Sequence, residues 1–394
     1  MVISIRSIET AVPSVEVKQG EIRDLFLAQP GRSRLAQRLI TAAFDASAID
    51  SRHTVIDELD GSPRGIQGAD RYGAAPVFYD ADAGLVLTPS TGTRNAVYAA
   101  RCPELILTAA RRALEAAPGI EAADVTHVVT VSCTGFYAPG PDYALVRELG
   151  LSPRTQRYHL GFMGCYAAFP ALRAARSFCV ADPGAVVLVV CVELCSLHLR
   201  ASDDPDTIVA SSVFSDGAAA AVVTGREPLG SPASPSAAVL ELDAFETTLT
   251  PVGESDMAWT IGDQGFEMVL SRYVPAIIGE HIDSALAPLL MGDPNLAGRP
   301  ASAIDLWAIH PGGRSILDKV QHALSLSDRQ LEPSRSTLTE HGNMSSATVL
   351  FVLRRLLHAG AAGGATTQRV CAMAFGPGLT VESALLTQRR MPGA

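Results

Sequence analysis

Gly164-Cys-Tyr-Ala-Ala-Phe-Pro170 opens a helix expected to run to about Val180, and Ala185-Val-Val-Leu-Val-Val-Cys-Val192 follows it as an unbroken apolar run. A run without polar alternation reads as a strand covered on both faces, the kind a parallel sheet flanked by helices contains. Working outward, Thr126-His-Val-Val-Thr-Val-Ser132 is a second buried strand, Asp142 to Leu149 is helical, and Ala218 to Val223 is the next strand. The second half repeats the scheme. Met268 to Leu290 is expected as one long helix, Ile304-Asp-Leu-Trp-Ala-Ile-His310 as a strand ending in a turn, and Arg314 to Leu324 as a helix. Gly342-Asn-Met-Ser-Ser346 opens a helix to about His358, and Arg369-Val-Cys-Ala-Met-Ala-Phe375 is a strand. Strand, turn, helix and strand thus occur once in each half, so the economical reading is an α/β chain of two pseudo-equivalent halves. Pro, Ser and Gly crowd the stretch between Arg226 and Ala238, which divides the chain into residues 1–235 and 236–394. Chemistry is expected at strand ends and helix starts, where the halves meet.

Composition bounds the function. Of 394 residues 47% are hydrophobic and 18% charged, which supplies a large core and excludes bulk disorder. Lys+Arg 31 against Asp+Glu 41 leaves a net charge of −10, and no basic run is interleaved with aromatics, which argues against a nucleic-acid partner. Lys18 and Lys319 are the only lysines, and local arginine clusters can still hold anionic ligands. The seven cysteines are scattered without C-x-x-C or metal spacing, which fits a reducing compartment. Met1-Val-Ile-Ser-Ile-Arg-Ser-Ile8 reads as a strand rather than a signal peptide, and the apolar runs break well short of ~18 residues, so no membrane span is expected. The expectation is a soluble, cytoplasmic protein.

Three residues stand where chemistry is expected. Cys165 follows a small-residue turn at the start of a helix, a position that favours an anion and lowers a thiol's pKa; the same context also fits a buried structural cysteine. His310 ends a strand and enters Pro311-Gly-Gly313, where it reads either as a hydrogen-bonded core residue or as a catalytic imidazole. Asn343 fits a helix N-cap as well as an oxyanion donor. Together the thiol, imidazole and carboxamide are the groups needed to stabilise a thiolate and an oxyanion.

Gly164-Cys165, His310-Pro-Gly-Gly, Gly342-Asn-Met-Ser-Ser and Gly376-Pro-Gly-Leu-Thr-Val-Glu382 resemble the signatures of type III polyketide synthases, the chalcone synthase-like enzymes. So do Val213-Phe-Ser-Asp-Gly-Ala-Ala-Ala220 and Thr134-Gly-Phe-Tyr-Ala-Pro-Gly-Pro-Asp-Tyr143. The similarity extends from about Ile49-Asp-Ser-Arg-His53 to Glu382. The resemblance implies a thiolase-like fold of two αβαβα halves in a homodimer, with acyl-CoA and malonyl-CoA as substrates and no metal or organic cofactor. It makes Cys165 the acyl-carrying nucleophile, and His310 with Asn343 the oxyanion pair. Phe214 and Phe266 match the aromatic gatekeepers, although Phe266 also reads as core packing. Arg52, Gly313 and Arg314 fall where CoA is contacted, with a solvated arginine an equal reading of Arg52.

The departures concern product. Cys133, Cys195 and His198 align with cavity threonines of the plant enzymes, Ala138 replaces a methionine that crosses to the partner, and Met257 falls near a glycine that shapes the cavity. Thr134 and Ser345 complete the expected cavity wall. Cys133-Thr-Gly-Phe136 and Glu193-Leu-Cys-Ser-Leu-His198 resemble the bacterial members that make alkylpyrones and alkylresorcinols, which implies a fatty acyl-CoA starter. Four other readings remain at this stage: a ketoacyl-acyl carrier protein synthase III, a papain-like protease from the Cys, His, Asn order, a degradative thiolase using Cys371, and an inactive dimeric scaffold.

Overall fold

The computed structural model describes residues 1–60, 75–227, 238–359 and 366–390. The chain begins with β1 (Ser4–Ala11), β2 (Val15–Lys18), α1 (Gln19–Leu27), α2 (Arg34–Asp45), β3 (Ser51–Thr54), β4 (Tyr79–Asp80), β5 (Leu85–Val86) and α3 (Thr91–Glu115). There follow β6 (His127–Ser132), α4 (Pro141–Glu148), β7 (Gln156–Gly161), α5 (Ala168–Ala181), β8 (Val186–Leu194), α6 (Pro205–Val213) and β9 (Asp216–Thr224). The second half holds β10 (Ala238–Leu249), β11 (Met257–Gly262), β12 (Gly265–Leu270), α7 (Val274–Met291), β13 (Leu306–Ile309) and α8 (Arg314–Leu324). It ends with α9 (Asp328–His341), α10 (Thr348–Ala359), β14 (Thr367–Gly376) and β15 (Thr380–Arg390).

Nine strands join in the order β13-β14-β15-β10-β1-β9-β8-β6-β7. The halves meet where β1 pairs antiparallel with β10, Ser4 opposite Glu241 and Ile5 opposite Leu240. Side-chain alternation then sorts the layers. Val187, Val189 and Cys191 of β8 join Val370, Ala372 and Ala374 of β14 around α5 and α10, which form the central layer. The opposite face of β8, Val186, Leu188, Val190 and Val192, packs on Ile106, Ala109 and Ala110 of α3. The opposite face of β14, Cys371, Met373 and Phe375, shares a cluster with Ile278, Ile282 and Leu286 of α7 and Leu317 and Val320 of α8. Helix, sheet, helix pair, sheet, helix is the thiolase-like order. Every residue of β8 is buried, as its unbroken apolar run requires.

Two expectations need correction. The helix expected from Met268 starts at Val274, because Gly265–Leu270 pairs antiparallel with Met257–Gly262 across Asp263-Gln264, and Pro275 sits in the first helical turn where no N–H is missed. By length and composition α7 could cross a bilayer. Here it is a core helix, with Val274, Ile278, Ile282 and Leu289 turned onto the C-terminal sheet. Most of the stretch read as a linker lies in 228–237, outside the described residues.

Candidate active site

One cavity where the halves meet is lined by Cys133, Thr134, Cys165, Cys195, Phe214, Met257, His310, Asn343 and Ser345, nine of the positions expected from the sequence. Trp259, Met268, Phe375 and Pro377 complete its apolar wall.

The nucleophile turn is built by close contact between the halves. Gly164 has φ +82, and a Cβ there would stand 2.3 Å from Pro377 Cδ, so only glycine lets the turn press on the Gly376-Pro377-Gly378 loop. Gly164 N–H donates to Cys133 Sγ at 3.0 Å. Cys165 precedes the first residue of α5 by three, in a turn closed by Ala167 N–H to Gly164 O at 3.1 Å and Phe169 N–H to Tyr166 O at 2.9 Å. The expected helix-lowered thiol is therefore corrected. Burial pushes Cys165 up to about 12, opposed by the neighbouring polar side chains of Ser345 and Asn343. Burial thus favours the neutral thiol.

His310 is 1% exposed, and neither ring nitrogen has a protein partner. A fully buried imidazole without a hydrogen bond is an orphan that the cavity's guest must satisfy. Its backbone N–H is fixed on Met373 O at 2.8 Å, the continuation of the parallel β13–β14 pairing. Burial lowers its pKa to about 3, so the ring is held neutral. Asn343 stands ahead of the short turn Ser345–Ala347 rather than at the cap of α10. Its Oδ1 accepts Ser345 N–H at 2.8 Å, a local turn bond, while Nδ2 donates one hydrogen to Gly312 O at 3.2 Å and keeps the other.

The remaining expected residues separate. Phe214 caps α6 and pairs with Asn343 in an isolated parallel bridge. Phe266 does not line the Cys165 cavity; it is 2% exposed and stacks on His198 with ring centroids 4.1 Å apart. Both border a second, smaller cavity whose wall with the first is Cys195, Phe214, Trp259 and Met268. His198 is a neutral latch there. Its Nε2 donates to Thr134 O at 2.7 Å, its Nδ1 accepts Phe266 N–H at 3.0 Å, and burial lowers its pKa to about 4. Ala138 is exposed beside Phe136. Gly313 is buried at the start of α8, and Arg314 is exposed with an ion pair to Asp318. Arg52 is corrected outright: it is buried, with its guanidinium turned onto the carbonyls of Ser211 and Phe214 and unavailable to a phosphate.

Two residues escaped the sequence reading. Trp259 donates Nε1–H to Cys133 O at 2.7 Å and forms wall between the cavities. It lies two residues from Met257 on the same hairpin face, a period-two signal hidden while the hairpin was read as a loop and a helix. Glu193 is fully buried behind the lining residues Cys133 and Thr134. One oxygen accepts Cys133 N–H and Thr134 Oγ1–H, both at 2.9 Å, and the other accepts Ser346 Oγ–H at 2.5 Å. Burial raises its pKa to about 7. Its signal was a single carboxylate inside an apolar strand. Among the described residues no group of His, Cys, Asp and Glu is placed to hold a metal ion.

Comparison with known proteins agrees with this geometry. Residues 81–228 match the family Chalcone and stilbene synthases, N-terminal domain, and residues 241–389 match its C-terminal domain. Bisdemethoxycurcumin synthase of Oryza sativa subsp. japonica is 36% identical over 79% of this chain and 76% of its own. The alpha-pyrone synthesis polyketide synthase-like Pks18 of Mycobacterium tuberculosis is 31% identical over 97% of this chain and 90% of its own. Among solved structures, PKS-I of the brown alga Ectocarpus siliculosus superposes with a TM-score of 0.85 at 29% identity, covering 99% of this chain and 98% of that one. The C-terminal type III polyketide synthase domain of Steely1 from Dictyostelium gives 0.83 at 27%, covering 99% and 100%.

Proposed function

The chain belongs to the chalcone and stilbene synthase family, the type III polyketide synthases, and on that premise we propose that it loads an acyl-CoA starter onto Cys165 and extends it with malonyl-CoA. The observation that carries this reading is the meeting of Cys165, an orphaned His310 and a half-free Asn343 amide in one apolar cavity. His310 takes the thiol proton as Cys165 Sγ attacks the thioester carbon, and returns it to the departing CoA thiolate. Malonyl-CoA follows with its thioester oxygen facing His310 and the spare Asn343 hydrogen. The bond to the carboxylate breaks, CO2 leaves, and the electron pair stays as an enolate on the malonyl-derived carbon. Donors already aimed at that oxygen stabilise it where little water competes. The carbanion attacks the acyl carbon, expels Cys165 and leaves a lengthened acyl-CoA ready to reload. No step calls on a cofactor.

The starter is aliphatic and the product a pyrone or resorcinol. The apolar cavity wall and the likeness to a polyketide synthase named for alpha-pyrone synthesis support this. Exposed Arg34 and Arg38 on α2, bordering an open groove, take over the phosphate-binding role expected of Arg52. The working unit is a homodimer formed through the exposed edge strand β7, and the division falls at residues 235/236. Seven free cysteines suit the cytoplasm. The test is product mass spectrometry with a panel of acyl-CoAs and malonyl-CoA. Cys165→Ala should form neither acyl adduct nor product while remaining folded. An acyl adduct on another cysteine of an active enzyme overturns the nucleophile. Preference for aromatic over octanoyl to palmitoyl starters overturns the aliphatic reading alone.

A further inference from the structure

Arg52 stands where a charge has no ordinary reason to be. It is 3% exposed, and Nη1 donates to Ser211 O and Phe214 O, both at 2.8 Å, while Nε and Nη2 have no protein partner. Its stem lies against Gly342: a Cβ there would stand 3.1 Å from Arg52 Cγ and 3.0 Å from Val213 O. Gly342 also has φ +69, so the chain passes between the arginine and the end of α6 only as glycine. The next residue is Asn343. Its N–H donates to Val213 O and its C=O accepts Ser215 N–H, both at 2.9 Å. One side chain from β3 thus grips the carbonyl of Phe214 with its head and backs the residue before Asn343 with its stem.

A buried carboxylate, Asp216, acts on Arg52 electrostatically without an ion pair to it. Asp216 is fully buried and accepts Ser196 N–H at 2.7 Å, Ser196 Oγ–H at 2.5 Å and Val55 N–H at 2.8 Å. Burying a guanidinium and a carboxylate is costly, and a water molecule could end α6 without that cost. A rigid charged head does what water cannot, which is to fix two carbonyls and a packed stem at once. Cys165 and His310 hang on other supports, the Gly376–Gly378 loop and β13.

We propose that Arg52 is a positioning residue for the decarboxylating half-reaction, fixing the Phe214–Asn343 contact so that the free amide hydrogen of Asn343 faces the cavity. The proposal rests on the oxyanion role given to Asn343 above. The two half-reactions separate in the full-length enzyme: acyl transfer from octanoyl-CoA to Cys165, read by intact mass, and CO2 release from labelled malonyl-CoA alone. Arg52→Gln should lose CO2 release by ~10²-fold, the scale of one preorganised donor, while acylation stays within about threefold. Arg52→Lys, which keeps the charge beside Asp216, should regain about tenfold of that loss. Added to Asn343→Ala, Arg52→Gln should cost nothing further, because the two act as one unit. A parallel fall of both half-reactions, or a double variant whose losses multiply, overturns the proposal and leaves Asn343 its role. Normal CO2 release in Asn343→Ala overturns both. If Arg52→Gln does not fold, Arg52→Lys decides on the same ratio: CO2 release must fall more than acylation.

Discussion

Burial pushes Cys165 up to about 12 and His310 down to about 3, which favours the neutral thiol beside the neutral imidazole. Such a pair is reactive only when the proton passes between them during attack, and it wastes no thiolate on solvent or oxidants. The oxyanion role proposed for Asn343 and a merely structural one are separated by one variant. Asn343→Ala should slow CO2 release from malonyl-CoA by ~10²-fold if the spare hydrogen serves the oxyanion. A structural role alone would show as ~1 kcal/mol of stability with near-normal turnover, so single-turnover CO2 release is to be set beside thermal melting. Glu193 offers a test through pH. Its folded pKa, raised from 4.5 to about 7, means the native chain keeps a proton that the unfolded chain has released. The stability it contributes is therefore complete below 4.5 and is lost as pH rises through about 7. Glu193→Gln has no proton to lose and still has an oxygen for Cys133 and Thr134 and an amide for Ser346. Urea unfolding should show the variant gaining on the parent between pH 4.5 and 8, by on the order of 3 kcal/mol. A difference that stays flat with pH would show that Glu193 does not titrate in that range. Because Asp216 is raised too, to about 6, the comparison must be with the parent and not with a predicted curve.

At the level of elements, what the sequence made legible is what period and composition decide. The buried run of β8, the strand before His310 and α8 over Arg314–Leu324 all lie where their apolar patterns put them. The β11–β12 hairpin is hidden in the sequence because Met268-Val-Leu270 runs into the apolar helix that follows, whose first turn holds Val274 and Pro275. That one boundary error misplaced the cavity wall, since Met268 and Trp259 stand where Phe266 was expected. Arg52 was misread for a different reason: the sequence shows a charge and not its burial. The hairpin yields a prediction about chain length. Trp259 separates the Cys165 cavity from the space beside His198 and Phe266, held there by Cys133 O. Trp259→Ala should join the two spaces and shift the preferred starter to longer acyl chains, each added methylene contributing up to ~0.8 kcal/mol to binding. Competition between octanoyl- and palmitoyl-CoA, read by product mass, checks it, and an unchanged ratio would mean the starter leaves the cavity by another route.

Across the whole molecule the two ends of the sheet differ. At one end β13 is buried on three of its four residues, while at the other β7 has five of six exposed, among them Arg157, Tyr158 and His159. Exposed Phe136, Tyr143 and Phe162 belong to the segments flanking that end. An open edge with apolar neighbours is a pairing surface unless something blunts it, and an identical strand placed antiparallel across a twofold axis satisfies it isologously. The register says which groups would pair. Gln156 and Phe162 turn their N–H groups inward, onto Thr126 O at 2.9 Å and Ser132 O at 3.3 Å. By the alternation of a strand, those of Arg157, His159 and Gly161 point out of the sheet. Arg157→Pro would therefore remove an outward donor while leaving the β6–β7 ladder intact. The parent should sediment as a dimer at micromolar concentration and Arg157→Pro as a monomer or a much weaker dimer, with the circular dichroism of the two unchanged. The ion pair of Arg157 with Asp142 is lost in that variant as well, so Asp142→Asn is the control and should stay dimeric. A monomeric parent, or an equally strong dimer in Arg157→Pro, would place the interface away from β7.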